Sequence, residues 1–562
     1  MPTLRQCLLD TYLVRLRAIA RFWEIEVAAR RQREMALELA EAMRSPQAVT
    51  RAWRALPLDQ RQALRALLAS DGQMPQRVFS RQWGEIRAMG PGRMERERPW
   101  TEPVSSAEGL WYTGLIYRSI EQGPDGAYEA ILIPPELRAL LPVADAERPR
   151  IALEPAAAPA VVRSYGHQVL DDACTLLSYV QNERPRLRSN RRWPERQEQH
   201  VLRRLRIQDP AYFAFLSHVA FRAGWLFERE EIGRLRLEPE TVTAWLESDP
   251  FLQQHAVAEA WRDDPTWNDL FHVPGLRPED TGAWRNDPVL ARTAVLGHLE
   301  VCGPGTWYRL NALVTAIKQM DADFQRPHGD YDSWYIQDEA TGVYLSGFES
   351  WDAVEGRLIR YVIRKPLAWL GLVDLGMDKG DRQPTAFRLS EGGAALLGGA
   401  EPPPTPERSS AHLRSGFRVA VPVERRYERF QLARVADWLQ SGNPFLYRLT
   451  PISLERARRQ GISVTRVLEF LSDLTEAPVP RSVEAALTRW DARGTEARLE
   501  RQVVLRISSE ELMNQVTASP ALSHLVGERI GPTAVTVPRQ DWEQVIGALG
   551  EMGLLPEVEG PP

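Results

Sequence analysis

The stretch Trp369-Leu370-Gly371-Leu372-Val373 ends an apolar run on a glycine and resumes at once with apolar residues. The same arrangement stands at Trp111-Tyr112-Thr113-Gly114-Leu115-Ile116, at Phe221-Arg222-Ala223-Gly224-Trp225-Leu226 and at Glu551-Met552-Gly553-Leu554-Leu555. Glycine adopts the left-handed conformation that closes a helix without a Cβ penalty, so each copy reads as a helix stopping and a strand beginning. After the copies at Trp111, Phe221 and Trp369 come a polar, hairpin-like stretch, a short apolar strand and a new helix start. Those endings are Ile131-Leu132-Ile133-Pro134-Pro135-Glu136, Leu235-Arg236-Leu237-Glu238-Pro239-Glu240 and Phe387-Arg388-Leu389-Ser390-Glu391.

Helices, glycine, strand, loop, strand is the order of a winged helix-turn-helix, although other α+β units share a glycine-capped helix. Copies spaced by roughly 100 residues predict an array of small domains rather than one large sheet. The expected fold is mainly α with small α+β modules, an array of winged-helix-like domains followed by a separate C-terminal α+β domain. The expected boundaries are an amphipathic N-terminal helix over 1–45 and winged-helix-like modules at 46–150, 163–285 and 286–398. A Pro-rich linker over 399–412 and a C-terminal domain over 413–562 follow. Residues 4–44 carry apolar positions at three- and four-residue steps without Pro or Gly, which predicts helix throughout. The Pro/Ala and Pro/Gly stretches 152–160 and 398–410 read as linkers.

The third module has two helical runs around Gly303-Pro304-Gly305-Thr306-Trp307, a polar and aromatic insert over 322–350, and a strong helix from Ser350 to Leu370. Arg357, Arg360 and Arg364 lie at i, i+3 and i+7 on that helix, one stripe on one face, with Lys365 beside them. Such a stripe is either a solvated basic face or a helix presented to a phosphate backbone. A second basic block, 183–206, holds nine Arg against three Glu and offers Arg186, Arg188, Arg191, Arg192, Arg203 and Arg204 as further phosphate contacts.

The chain of 562 residues is 43% hydrophobic and 26% charged, an ordinary globular composition with length for several domains. No apolar stretch approaches the ~20 residues of a spanning helix, and no export signal is expected at the start. Cys7, Cys174 and Cys302 are far apart, which suits a reducing cytoplasm, with nucleoid association if DNA is bound. Three of the 70 basic residues, Lys318, Lys365 and Lys379, are lysines, which leaves 67 arginines. None of the three follows a glycine and precedes Ser or Thr as a phosphate-binding loop requires. Genome base composition alone would account for the arginine bias. Histidines show no ligand spacing, Asp321, Asp323, His328, Asp330 and Asp332 read as surface-loop groups, and Cys174 reads as a buried apolar residue. A non-enzymatic chain without metal or cofactor is the expectation.

The segment Tyr447-Arg448-Leu449-Thr450-Pro451-Ile452-Ser453-Leu454-Glu455-Arg456-Ala457-Arg458-Arg459-Gln460-Gly461-Ile462-Ser463 reads as strand, N-cap at Thr450, helix, glycine stop and a second N-cap at Ser463. With Pro480, Val483, the strand Val503–Ile507 and the helix after Ser508, it resembles the N-terminal domain of the XPB/Ssl2 helicases over about 417–556. Upstream, Phe79–Arg87, Arg96–Trp100 and Leu110–Tyr112 resemble bacterial stand-alone helicase-associated proteins that carry this domain. In the helicases the domain precedes two motor domains, and none is expected here. The resemblance therefore implies a docking or DNA-proximal module rather than an ATPase. The implied partners are double-stranded DNA and a separately encoded XPB-type helicase, with no membrane. The rival expectations are a protein–protein scaffold, a sequence-specific transcription regulator and a metal nuclease built on Asp321–Asp332.

Overall fold

The computed structural model describes residues 1–123, 126–141, 151–188, 192–229, 233–279, 281, 286–326, 329–397, 400–497 and 502–559. Two compact units result, Met1–Ala457 with Asp473–Glu476, and Arg458–Ser472 with Ala477–Pro562. Among the described residues helices dominate and the strands form six small sheets of two to four strands. No described helix is long and apolar enough to cross a membrane.

The glycine-stopped helices build three similar pieces in the first unit. In the first, helices Leu58–Ala69, Gln76–Trp83 and Ser106–Thr113 precede the hairpin Tyr117–Gly123 and Gly126–Leu132, and Gln73–Pro75 pairs with the second hairpin strand. In the second, helices Gln168–Glu183, Glu195–Leu202 and Pro210–Arg222 precede the hairpin Leu226–Arg229 and Arg234–Leu237. There the Leu235 N–H bonds the Pro185 carbonyl at 2.8 Å, so the segment after the first helix runs beside the second hairpin strand. In the third, helices Pro288–Leu299, Leu310–Met320 and Trp351–Val362 precede Val373–Met377 and Ala386–Leu389, with Tyr308–Arg309 against the second hairpin strand. The stops are left-handed as expected, with φ of 71° at Gly114, 73° at Gly224, 72° at Gly371 and 79° at Gly553.

Three expectations change. The continuous helix over 4–44 is three helices, Leu4–Leu9, Leu13–Phe22 and Gln32–Ala42. A single rod of that length would reach roughly 60 Å, far past the small core it covers. The breaks instead let Leu4, Leu16, Trp23 and Met35 join one core with Leu110 and Ile131. The 152–160 stretch is strapped down rather than free: the Ala156 N–H bonds the Trp307 carbonyl at 2.7 Å, and Val161–Arg163 extends the third module's sheet along Val373–Met377. The Pro-rich segment is also held at its end, where Arg425 donates to the Ser409 carbonyl at 2.6 Å and the Ser409 N–H donates to Glu424 at 2.8 Å. Residues 398 and 399 lie outside the described residues.

The compact first unit does not stop before residue 413. Strands His412–Arg414, Arg418–Val421, Phe445–Arg448 and Asp437–Gln440 form one antiparallel sheet in that order, and its helix Arg426–Val435 packs on Gln168–Glu183. Asp171 and Arg426, 1% and 3% exposed, form an ion pair at 2.9 Å. Arg429 donates to the Asp171 carbonyl at 2.5 Å, and Asn182 donates to the Ala433 carbonyl at 2.7 Å. Thr450 caps its helix as expected, its hydroxyl accepting from the Ser453 N–H at 3.0 Å, and Ser463 accepts from the Arg466 N–H at 3.3 Å. The second unit has its own core of Val516, Leu522, Leu525, Val537, Val545 and Leu549.

The glycine stops differ in what surrounds them. A Cβ on Gly224 meets open space, whereas one on Gly371 would sit 1.9 Å from the Gly166 carbonyl oxygen. Gly224→Ala should therefore cost only the left-handed penalty of about 1–2 kcal/mol, and Gly371→Ala should cost more or prevent folding. Urea unfolding of the two variants checks this; equal losses would contradict it.

Candidate nucleic-acid interface

The basic stripe of the third module is neither solvated nor free. The insert folds over its helix: Ile336–Asp338 pairs with Leu276–Pro278, and the Trp351 indole donates to the Ala322 carbonyl at 2.8 Å. Arg326 and Glu355, both buried, pair at 2.6 Å beneath this cover. Arg357 donates to the Gly275 carbonyl at 3.1 Å and to Asp338 at 3.2 Å. Arg360 donates twice to Asn311, and Arg364 donates twice to the Pro384 carbonyl, at 3.0 and 2.6 Å. Lys365 pairs with Asp209 at 2.8 Å. All four side chains are half-buried, and burial lowers the pKa of Arg360 and Arg364 below the ordinary arginine value. Their donors tie the insert, the helix and the hairpin together.

The second module presents the opposite case. Arg184, Arg186 and Arg188 are exposed and alternate with buried Pro185 and Leu187, so an extended strip turns its arginines outward. The strip runs beside the hairpin strand Arg234–Leu237, where exposed Arg234 donates to the Arg184 carbonyl at 3.3 Å. Arg236 is held below its ordinary pKa by burial and then by repulsion from Arg184, Arg229 and Arg234, so three other guanidinium groups lie within electrostatic reach of it. Among the described residues no carboxylate pairs with the side chains of Arg184, Arg188, Arg192 or Arg236. Glu183 and Glu228 offset part of the charge, against seven arginines at 184, 186, 188, 192, 229, 234 and 236, and Glu230 and Glu231 lie outside the described residues. Arg191 lies outside the described residues.

Arg203 and Arg204 part company. Arg203 is exposed, with no partner for its side chain among the described residues. Arg204 is half-buried with its guanidinium 5.5 Å from the Tyr179 ring centre and 5.4 Å from that of Trp438, a packed cation rather than an exposed contact. Arg229, Arg234 and Arg236 were not among the residues expected from sequence. The two-residue alternation Arg234-Leu235-Arg236-Leu237 is the signal that marks two of them.

The acids of the third-module insert do not converge. Asp321 pairs with His298 at 2.9 Å, Asp323 pairs with Arg81, and Asp330 accepts the Asp332 N–H at 3.0 Å in a turn. His328 lies outside the described residues, and among the described residues no group of three His, Cys, Asp or Glu is placed to hold a metal. The three cysteines are free and buried, with burial pushing the Cys7 and Cys302 thiols up to about 12.

Residues 415–531 match the model of the helicase conserved C-terminal domain. The match begins between the strands His412–Arg414 and Arg418–Val421, takes in the helix that Arg426 opens, and runs across the boundary between the two units. Comparison with curated proteins finds no match. The chain thus contains a helicase-related domain, preceded by three helix-and-hairpin pieces of which the second bears an arginine-lined strip.

Two expectations follow. Arg364→Ala should lower stability on the order of 1 kcal/mol through its lost carbonyl bonds, read as a lower urea midpoint, and an unchanged midpoint would contradict it. Buried Asp172, whose two carboxylate oxygens accept the Arg206 and Ile207 N–H groups at 2.7 and 3.1 Å, is pushed up by burial to about 7. A folded-state pKa above the unfolded value gives stability that is full at low pH and is lost as pH rises through about 7. Asp172→Asn removes that loss, so the stability gap between wild type and variant should narrow between about pH 5 and about pH 8. Urea midpoints at both pH values measure it, and a constant gap would contradict it.

Proposed function

We propose that this chain is a non-catalytic, helicase-associated DNA-binding protein whose helix-and-hairpin pieces are winged-helix modules, the second of which grips a duplex by its phosphates. The carrying observation is the arginine strip Arg184–Arg188 beside the hairpin strand Arg234–Leu237. Guanidinium groups present several donors in a fixed fork and suit phosphate oxygens, and outward alternation along an extended strip places them at intervals along a surface.

The other modules support this choice by contrast. The first module's Ser106–Thr113 helix is almost wholly buried, and the third module's Trp351–Val362 helix lies under its insert. Ser217, Leu216 and Phe213 likewise bury most of the Pro210–Arg222 helix, so the second module has its strip and hairpin, rather than a helix face, to offer a groove. The helicase-related domain at 415–531 supplies the reason for DNA proximity, and a separately encoded XPB-type helicase is the protein partner this reading favours. The lysine positions support a chain without its own ATP-driven motor.

Duplex binding should fall steeply with salt, because each neutralised phosphate releases about 0.9 counterion. Replacing Arg188, Arg192 and Arg236 together by Gln should weaken binding to all duplexes alike and flatten the slope of log K against log salt by about two to three units. Fluorescence anisotropy over a salt series measures both. Unchanged affinity and slope would overturn the reading in favour of a protein–protein scaffold, and a specificity ratio above ~10³ for one site would make the chain a sequence-specific regulator.

A further inference from the structure

A cleft of about 380 Å³ lies within the first unit, between the turn that follows helix Glu195–Leu202 and the strand Asp437–Gln440 of the helicase-related domain. Its walls bring together Arg203, Arg206, Gln168, Gln440, Trp438 and Leu439. The side chains of Arg203, Gln168 and Gln440 have no hydrogen-bond partner among the described residues, although each can donate to or bridge a polar ligand. Arg206 directs one nitrogen to buried Asp171 at 2.7 Å, which fixes the guanidinium and leaves further donors.

The aromatic wall is equally fixed. The Trp438 indole donates to the Ser441 hydroxyl at 3.0 Å, and that hydroxyl in turn bonds the Arg204 carbonyl. Arg204 covers one side of the ring, and the half-exposed remainder faces the cleft. A rigid aromatic surface, an unpaired cation and several amides around a small volume match a phosphate joined to a flat heteroaromatic base. The volume is at the low end for ligand sites, suiting one or two nucleotide units rather than a duplex.

We infer that this cleft binds single-stranded nucleic acid, stacking a base on Trp438, holding its phosphate on Arg203 and reading the base edge with Gln168 and Gln440. Stacking on aromatic side chains beside a basic groove is how strands are held with little sequence preference. The inference rests on the DNA-binding reading above but uses different residues: the arginine strip holds duplex, and the cleft takes a strand that has left it.

The test titrates labelled oligo-dT, a labelled duplex of random sequence and the mononucleotide dTMP into the full chain. The variants are Arg203→Gln with Gln440→Ala, Trp438→Ala and Trp438→Phe. The first pair alters side chains without internal partners, so folding is retained, and it should weaken oligo-dT binding on the order of tenfold with duplex binding unchanged. Trp438→Ala should do the same and Trp438→Phe should restore most of the loss, because a phenyl ring still stacks. Oligo-dT affinity that no variant moves, with duplex binding intact, overturns the cleft assignment alone. An absence of binding to either nucleic acid overturns the cleft and the DNA-binding reading together. A dTMP affinity equal to that of oligo-dT would make the cleft a free-nucleotide site and overturn the strand assignment.

Discussion

The carboxylate of Asp171, 1% exposed, holds Arg426 from 255 positions along the chain. Charges removed from water are tolerated only when well paired, so losing Asp171 would leave the buried Arg426 without its carboxylate. Arg206 reaches the second oxygen of the same carboxylate, and Arg429 bonds the residue's own carbonyl. One residue therefore fixes three arginines from two distant segments. It sets the helix Gln168–Glu183 against the sheet of the helicase-related domain, and with it both the arginine strip that continues from that helix and the cleft beside it.

The surplus of arginine has a physical use beyond any base-composition bias. Arginine stays charged when buried and carries five donors, so it can satisfy several carbonyls at once. Arg15 bonds the carbonyls of Trp111 and Ile116 with its guanidinium 3.4 Å from the Trp111 ring centre. Arg292, fully buried, pairs with Asp269 at 2.6 Å and bonds the carbonyls of Trp261 and Asp264. Half-buried Arg357 and Arg364 act as struts between segments. Most of the described arginines are nonetheless exposed, so the grouping of several on one strip is more informative than the overall count.

The glycine stops, the hairpins after them and the caps at Thr450 and Ser463 were legible in the sequence because they depend on local backbone chemistry. The stripe Arg357, Arg360 and Arg364 shows the limit of such reading. Helical spacing says that three side chains share a face, but what covers the face came from an insert whose own pattern is irregular. The outward arginines at 184, 186 and 188 were legible as a basic block, and their alternation with Pro185 and Leu187 was present in the same residues. The hairpin arginines that complete the surface needed the pairing of Leu235 with Pro185, a contact across 50 positions. The helicase-related match begins at 415, close to the start expected at 413, yet the first compact unit runs on to Ala457, since composition marks a Pro-rich segment but does not reveal that Asp171 and Arg426 bind across it.

Hydrogen exchange of the full chain with and without a DNA duplex tests the central claim most directly, because it reports every segment at once. Binding through the second module predicts slower exchange over the strip Arg184–Arg188 and the hairpin Leu226–Leu237, with Trp351–Val362 unchanged. Slowed exchange over Trp351–Val362 with the strip and hairpin unaffected would contradict the account.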